Sequence, residues 1–198
     1  MKKRGIKILS AVLVVAMILS FATVALAESP QEEKPKGERN QDRTIITLFV
    51  KYAPGSLAEY LSTKQEHTQF HEGRKEAYEA FKKQTKGQLA EILDAFIEGE
   101  MTAEEFKSTV TQMRDTLKAY KEQMVSIREA KQSENEALKT QHESIKTQLE
   151  TALASEVKDE VLIKSLLEQR LALLKQHLAV DYKYAAQVDA AREQYYPA

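Results

Sequence analysis

The stretch FKSTVTQMRDTLKAYKEQMVSI, residues 106–127, decides the fold class. Its large apolar side chains are separated alternately by four and three positions: Phe106, Val110, Met113, Leu117, Tyr120, Met124 and Ile127. This heptad spacing places them on one stripe of an α-helix, as in a coiled coil. We therefore predict a long helix here whose apolar stripe packs against a second helix.

The sequence on both sides of this stretch favours long helices as well. No proline occurs between Ser56 and Tyr196, and no glycine follows Gly99. Ala, Glu, Lys, Gln and Leu, which are strong helix formers, dominate this region. We predict an all-α protein whose long antiparallel helices form a helical hairpin or a coiled-coil-like bundle.

Capping signals mark where the predicted helices begin and end. Ser56 with Glu59, and Thr102 with Glu105, have the spacing of a capping box, in which each side chain satisfies an amide at the helix start. Gly99 is suited to end the preceding helix. The sequence thus predicts a helix over about 56–98 and another from 102, which the short connection makes an antiparallel hairpin.

Two further segments complete the predicted helical region. A break near 155–159 separates the second long helix from a Leu-rich last helix that runs to about Gln194. Residues 44–53 are rich in β-branched residues but have no partner strand. We expect them to form a short helix or an extended segment that docks its apolar side on the bundle.

The two helices of the hairpin have polar stretches at the same height. Residues 62–76 and 128–136 carry almost no large apolar side chains, and the hairpin register places them opposite each other. Either the hairpin splays there or a polar layer fills the space. A break near 133–135 would give four helices rather than three, and the sequence leaves this open.

This polar region contains a candidate metal site. His67 and His71 are four residues apart, so a helix presents both rings on one face, where they can chelate a divalent ion. The hairpin register places Glu129 and Glu134 opposite them, as further ligands for zinc or copper. The alternative is a pair of solvated histidines that bind no cofactor.

The first 27 residues have the pattern of a secretory signal peptide. Basic residues precede an apolar run from Ile8 to Leu26, which ends in Ala25-Leu26-Ala27. The alternative is an uncleaved membrane anchor. Residues 28–43 are charged and contain two prolines, which predicts a disordered linker before a helical domain at 44–198. We expect an exported protein, periplasmic or extracellular, with no membrane span after cleavage of the signal.

Composition and motifs exclude several functions. The chain has no cysteine, so it has neither a disulfide scaffold nor a thiol nucleophile. A net charge of −1 provides no basic field for nucleic acid. The sequence contains no phosphate-binding loop, no HExxH and no Gly-x-Ser-x-Gly. We therefore expect a non-enzymatic protein whose partners are other proteins or further copies of itself, most simply in a homo-oligomer.

Three patches of sequence resemble the Spy/CpxP-like exported helical proteins, which carry LTxxQ motifs and include the ZraP-type members. Residues 61–65, LSTKQ, are close to that motif, and residues 101–105, MTAEE, are a looser version. Residues 149–166 look like the family's sequence of a helix, a short acidic break and a Leu-rich helix.

The resemblance implies an envelope-stress protein that shields apolar segments of unfolded clients without ATP, or that binds metal under metal stress. The alternative is a structural coiled-coil module of the cell envelope that self-assembles or scaffolds partners.

Overall fold

The computed structural model describes the backbone of residues 36–196 and the side chains of residues 44–196. These residues form four helices and no strand: α1 (Lys36–Tyr52), α2 (Pro54–Glu98), α3 (Ala103–Ala154) and α4 (Glu160–Tyr195). The all-α prediction is confirmed. The packing described below lies within residues 43–198, which form one compact unit. Within the described residues, no helix combines the length and apolar character that crossing a bilayer requires.

The α2–α3 hairpin follows the predicted pattern closely. Gly99 adopts a left-handed conformation with φ of 84° and ends α2, as a residue without a Cβ readily does. Thr102 caps α3 in a full capping box with Glu105. The ring of Phe96 stacks on that of Phe106, with centroids 4.5 Å apart, next to the turn. All seven apolar positions of the heptad stretch are buried or half-buried, which confirms the predicted stripe.

The helix α4 returns along the hairpin, antiparallel to α3 and parallel to α2. Near the end of α4, the ring of Tyr195 lies 6.1 Å from that of Tyr120, between ring centroids. Contacts between α2 and α4 keep a nearly constant separation in sequence: Tyr182 donates to Glu66 across 116 residues and Arg74 to Asp189 across 115. This constant offset means that α2 and α4 run in register as parallel neighbours.

Residues 43–52 of α1 cover one end of this bundle. Phe49 is fully buried, and its ring stacks on that of Tyr60 at 4.5 Å between centroids. Ile45, Tyr52 and Ala53 are also buried, at helical spacing. Residues 44–53 therefore satisfy the expectation of an apolar side docked on the bundle, and they do so as a helix.

Within the described residues, two apolar cores hold the helices together, and Val180 of α4 packs against both. The larger is built from α1, the start of α2, the end of α3 and the first half of α4, around Ile163, Leu166 and Leu167. The smaller joins Phe81 of α2, Tyr120 and Ile127 of α3, and Tyr184, Val188 and Ala191 of α4. A polar layer, one of the two arrangements that the sequence leaves open, lies between them, and α3 passes through it without a break. The fourth helix is instead α1, at the other end of the chain.

Two helix starts differ from the sequence expectations. The capping box predicted at Ser56 is wrong, because α2 begins at Pro54 and its N-cap is Ala53. Proline has no amide to leave unsatisfied and its φ suits the first helical position, so the helix starts two residues earlier. The helix α1 begins at Lys36, inside the segment for which a linker was predicted. Residues 28–35 and the predicted signal peptide lie outside the described residues.

Candidate metal centre

The polar layer between the two cores brings together charged and imidazole side chains from three helices. His67 and His71 come from α2, Lys131 from α3 and Asp181 from α4. Asp181 is 8% exposed and both histidines are half-buried. These four residues are called the polar layer below.

The two histidines form a pair on successive turns of α2. Their Nε2 atoms are 3.2 Å apart, and their ring centroids are 4.4 Å apart. The ring of Phe70 lies edge-on to His71 at 5.4 Å and to Tyr182 of α4 at 4.7 Å. The packing of Phe70 against His71 and Tyr182 therefore holds one side of the histidine pair in place. The two Nε2 atoms lie next to each other.

Asp181 completes a triangle of donor atoms. Its Oδ2 lies 3.5 Å from Nε2 of His67 and 3.5 Å from Nε2 of His71. Its other oxygen, Oδ1, lies 2.8 Å from Nζ of Lys131. The carboxylate thus has one oxygen on a lysine of α3 and the other on the histidine pair of α2.

The electrostatic environment keeps Asp181 ionised. Burial by itself raises the pKa of this carboxyl group, but hydrogen bonding to His67 and Lys131 outweighs burial and lowers the pKa to about 2. Lys131 and His71 add favourable charge interactions. The site therefore presents a permanent anionic oxygen to the two imidazole nitrogens.

The predicted carboxylate ligands lie elsewhere. Glu134 accepts hydrogen bonds from the ammonium of Lys183 and, at 2.8 Å, from the hydroxyl of Tyr184. These two hydrogen bonds lower the pKa of Glu134. Glu129 is exposed, because Ile127, Lys131 and Glu134 define the inward face of α3. Of the four residues predicted to bind metal, the structure brings together His67 and His71, and it places both glutamates outside the triangle.

Sequence reasoning missed Asp181 and Lys131. Asp181 lies in the segment LAVDY, residues 178–182, where it is the only charged side chain on an otherwise apolar part of α4. A carboxylate on an apolar helix face requires a partner when it is buried. That local contrast is the signal that could have found it, but the heights of α4 and α2 are fixed only by tertiary packing.

The chain matches no family model, no curated protein sequence and no solved structure. The resemblance to Spy/CpxP-like proteins therefore stays a prediction.

The triangle of donors has the dimensions of one face of a zinc coordination tetrahedron. Zinc binds nitrogen and oxygen at roughly 2.0–2.2 Å, so tetrahedral ligands lie about 3.3 Å from one another. The three separations here are 3.2, 3.5 and 3.5 Å. Two imidazoles and one carboxylate are a ligand set that suits zinc and copper. The residues present can therefore hold such an ion with small movements.

Proposed function

We propose that the chain is an exported, non-enzymatic helical protein that binds a zinc or copper ion through His67, His71 and Asp181, in a response to metal or envelope stress. The observation that carries this proposal is the donor triangle, whose sides match the ligand separations of a tetrahedral ion. Export is supported by the signal-peptide pattern of residues 1–27.

The surroundings of the triangle support binding rather than an ordinary core contact. Two imidazoles that face each other in a half-buried layer are an inefficient way to fill space, because each brings polar atoms that need partners. Their arrangement at successive turns of a continuous helix also fixes both nitrogens in advance, which reduces the ordering that binding requires.

The test is a calorimetric titration of the purified full chain with Zn²⁺ and Cu²⁺, against the double variant His67→Ala with His71→Ala. We expect one strong site in the natural chain and its loss in the double variant. His142→Ala, a half-buried histidine of α3, is the matched control and should keep the site. Equal binding by the double variant and the natural chain would contradict the proposal.

A second candidate function is the binding of unfolded protein, supported by an exposed apolar patch at the turn between α3 and α4. Val157 is 85% exposed, Val161 80% and Leu162 44%. Beside them, Thr151, Ala152 and Leu162 help to line a shallow cavity of about 350 Å³. Exposed apolar patches mark surfaces that bind other proteins, so this patch favours chaperone-like shielding of an apolar segment.

The alternative, a structural coiled-coil module, is favoured by the apolar stripe at the tip of the α2–α3 hairpin. The α2–α3 hairpin extends past the end of α4, with Leu89, Ile92, Val110 and Met113 half-buried between the two helices. A second copy could cover this stripe. Light scattering from an aggregating unfolded client distinguishes client shielding from self-assembly. Suppression of aggregation near a one-to-one ratio favours shielding. A stable oligomer that does not suppress aggregation favours assembly.

A further inference from the structure

The helix α4 repeats the spacing of the histidine pair on α2. His177 precedes Asp181 by four residues, as His67 precedes His71. Residues four apart lie on the same face of a helix, and side chains lean toward the helix N-terminus. The carboxylate of Asp181 therefore leans toward the turn that carries His177.

The offset between α2 and α4 sets the relative heights of the two pairs. Because α2 and α4 are parallel and keep an offset of 115 to 116 residues, their side chains lean in the same direction. The rings of His67 and His71 lean toward the N-terminal end of α2, which is the end from which His177 approaches. At this offset Asp181 is level with residues 65–66 of α2 and His177 with residues 61–62, so the HxxxD pair of α4 begins before the HxxxH pair of α2 along the two parallel helices.

His177 is available for this role. It is half-buried, and within the described residues it has no hydrogen-bond or ion-pair partner that would hold its ring. Burial lowers the pKa of His177, while the charge of Asp181 raises it and that of His67 lowers it. Its ring nitrogens lie outside the triangle formed by the donor atoms of His67, His71 and Asp181.

We infer that His177 is the fourth ligand of the proposed metal site, so that two imidazoles of α2 and an imidazole and a carboxylate of α4 enclose one zinc ion. The inference rests on the proposed function, since it adds a ligand to that same site. To fill the open corner of the tetrahedron, the His177 side chain must rotate, because its ring nitrogens lie outside the triangle of donors. Four protein ligands leave no position for a reacting water, which is the arrangement of zinc sites that bind without catalysis.

Cysteine substitution at position 177 tests the inference directly. The chain has no cysteine of its own, so His177→Cys introduces a single thiol. If residue 177 binds the metal, Co²⁺ added to this variant will give the near-ultraviolet charge-transfer band of a thiolate ligand. The matched variant Asp115→Cys, at an exposed position of α3, should give no such band. Absence of the band in His177→Cys while Co²⁺ still binds would overturn the inference.

Affinity for Zn²⁺ provides a second measurement that does not depend on the thiol. We expect His177→Gln to weaken Zn²⁺ binding by at least about tenfold, as loss of a supporting group does, and Lys139→Gln, at an exposed position of α3, to leave it unchanged. Far-ultraviolet circular dichroism checks that both variants fold. Equal affinity of His177→Gln and the natural chain would overturn the fourth ligand and leave the three-ligand site intact. Failure of the natural chain to bind either Zn²⁺ or Cu²⁺ would overturn both proposals.

Discussion

The ammonium of Lys131 on α3 lies 2.8 Å from Oδ1 of Asp181 on α4. This ion pair joins the two helices between the apolar cores, and it leaves Oδ2 directed at the histidines of α2. Lys131 is thus a built-in cation beside the site proposed for a metal cation. The same residue that stabilises the fold would repel the proposed ion.

We expect Lys131→Met to separate these two effects. Loss of the ammonium leaves a buried carboxylate with fewer partners, which lowers the free energy of unfolding by about 1 to 2 kcal/mol. Loss of its repulsion strengthens Zn²⁺ binding roughly tenfold. Urea unfolding in the presence of a chelator and a Zn²⁺ titration measure the two changes.

The control for this variant is Lys139→Met, also on α3, whose side chain is 67% exposed. Lys139→Met should change neither the free energy of unfolding nor the affinity for Zn²⁺. Weaker Zn²⁺ binding in Lys131→Met would contradict the idea that the lysine opposes the metal.

The low pKa of Asp181 predicts a loss of stability in acid. Its pKa is about 2 in the folded chain and 3.8 as its ordinary value, so its contribution is complete above pH 3.8 and disappears as the pH falls toward 2. Asp181→Asn removes this contribution. We expect the unfolding free energies of the natural chain and Asp181→Asn, measured with a chelator, to converge over that interval.

Asp115→Asn is the control for the acid experiment, because the side chain of Asp115 is 68% exposed on α3. Its unfolding free energy should run parallel to that of the natural chain at every pH. If the difference in unfolding free energy between Asp181→Asn and the natural chain stays constant from pH 4 to 2, the neighbours of Asp181 do not lower its pKa.

Glycine substitutions test the description of the hairpin. Gly99→Ala forces a side chain into the left-handed conformation at φ of 84° and should destabilise the chain by about 1 kcal/mol. Gly73→Ala, inside α2, meets no atom within 4 Å of the added Cβ and should stabilise it by roughly 0.5–1 kcal/mol. Thermal unfolding measures both, and equal shifts in the same direction would contradict the assigned turn.

The contrast between these two glycines shows what local sequence can predict. The turn at Gly99, the cap at Thr102 and the heptad stripe are all determined by residues close in sequence, and each is present in the structure. The start of α2 was predicted wrongly because proline at the first helical position outweighed the capping box at Ser56.

The candidate site was predictable only in part for a related reason. His67 and His71 share a helix, so their spacing alone places them together. Asp181 follows them by more than a hundred residues, and its height depends on how α4 packs along α2. The register between α2 and α3 alone predicts Glu129 and Glu134 as ligands, and it carries no information about α4.

The exposed valines at the α3–α4 turn predict how client binding would respond to mutation. Replacement of Val157 and Val161 by serine should change stability by less than about 0.5 kcal/mol, because both are at least 80% exposed. The same change should weaken suppression of client aggregation. Val125→Ser, at a position 50% exposed on α3, is the control. If the variant with serine at both valine positions suppresses client aggregation as well as the natural chain does, client binding lies on another surface.

The most direct test of the central claim is a crystal structure of the full chain grown with Zn²⁺ and measured at the zinc absorption edge. We predict an anomalous peak within about 2.2 Å of Nε2 of His67, Nε2 of His71 and Oδ2 of Asp181. Peaks found only elsewhere on the chain, or no peak at a saturating Zn²⁺ concentration, would contradict the account.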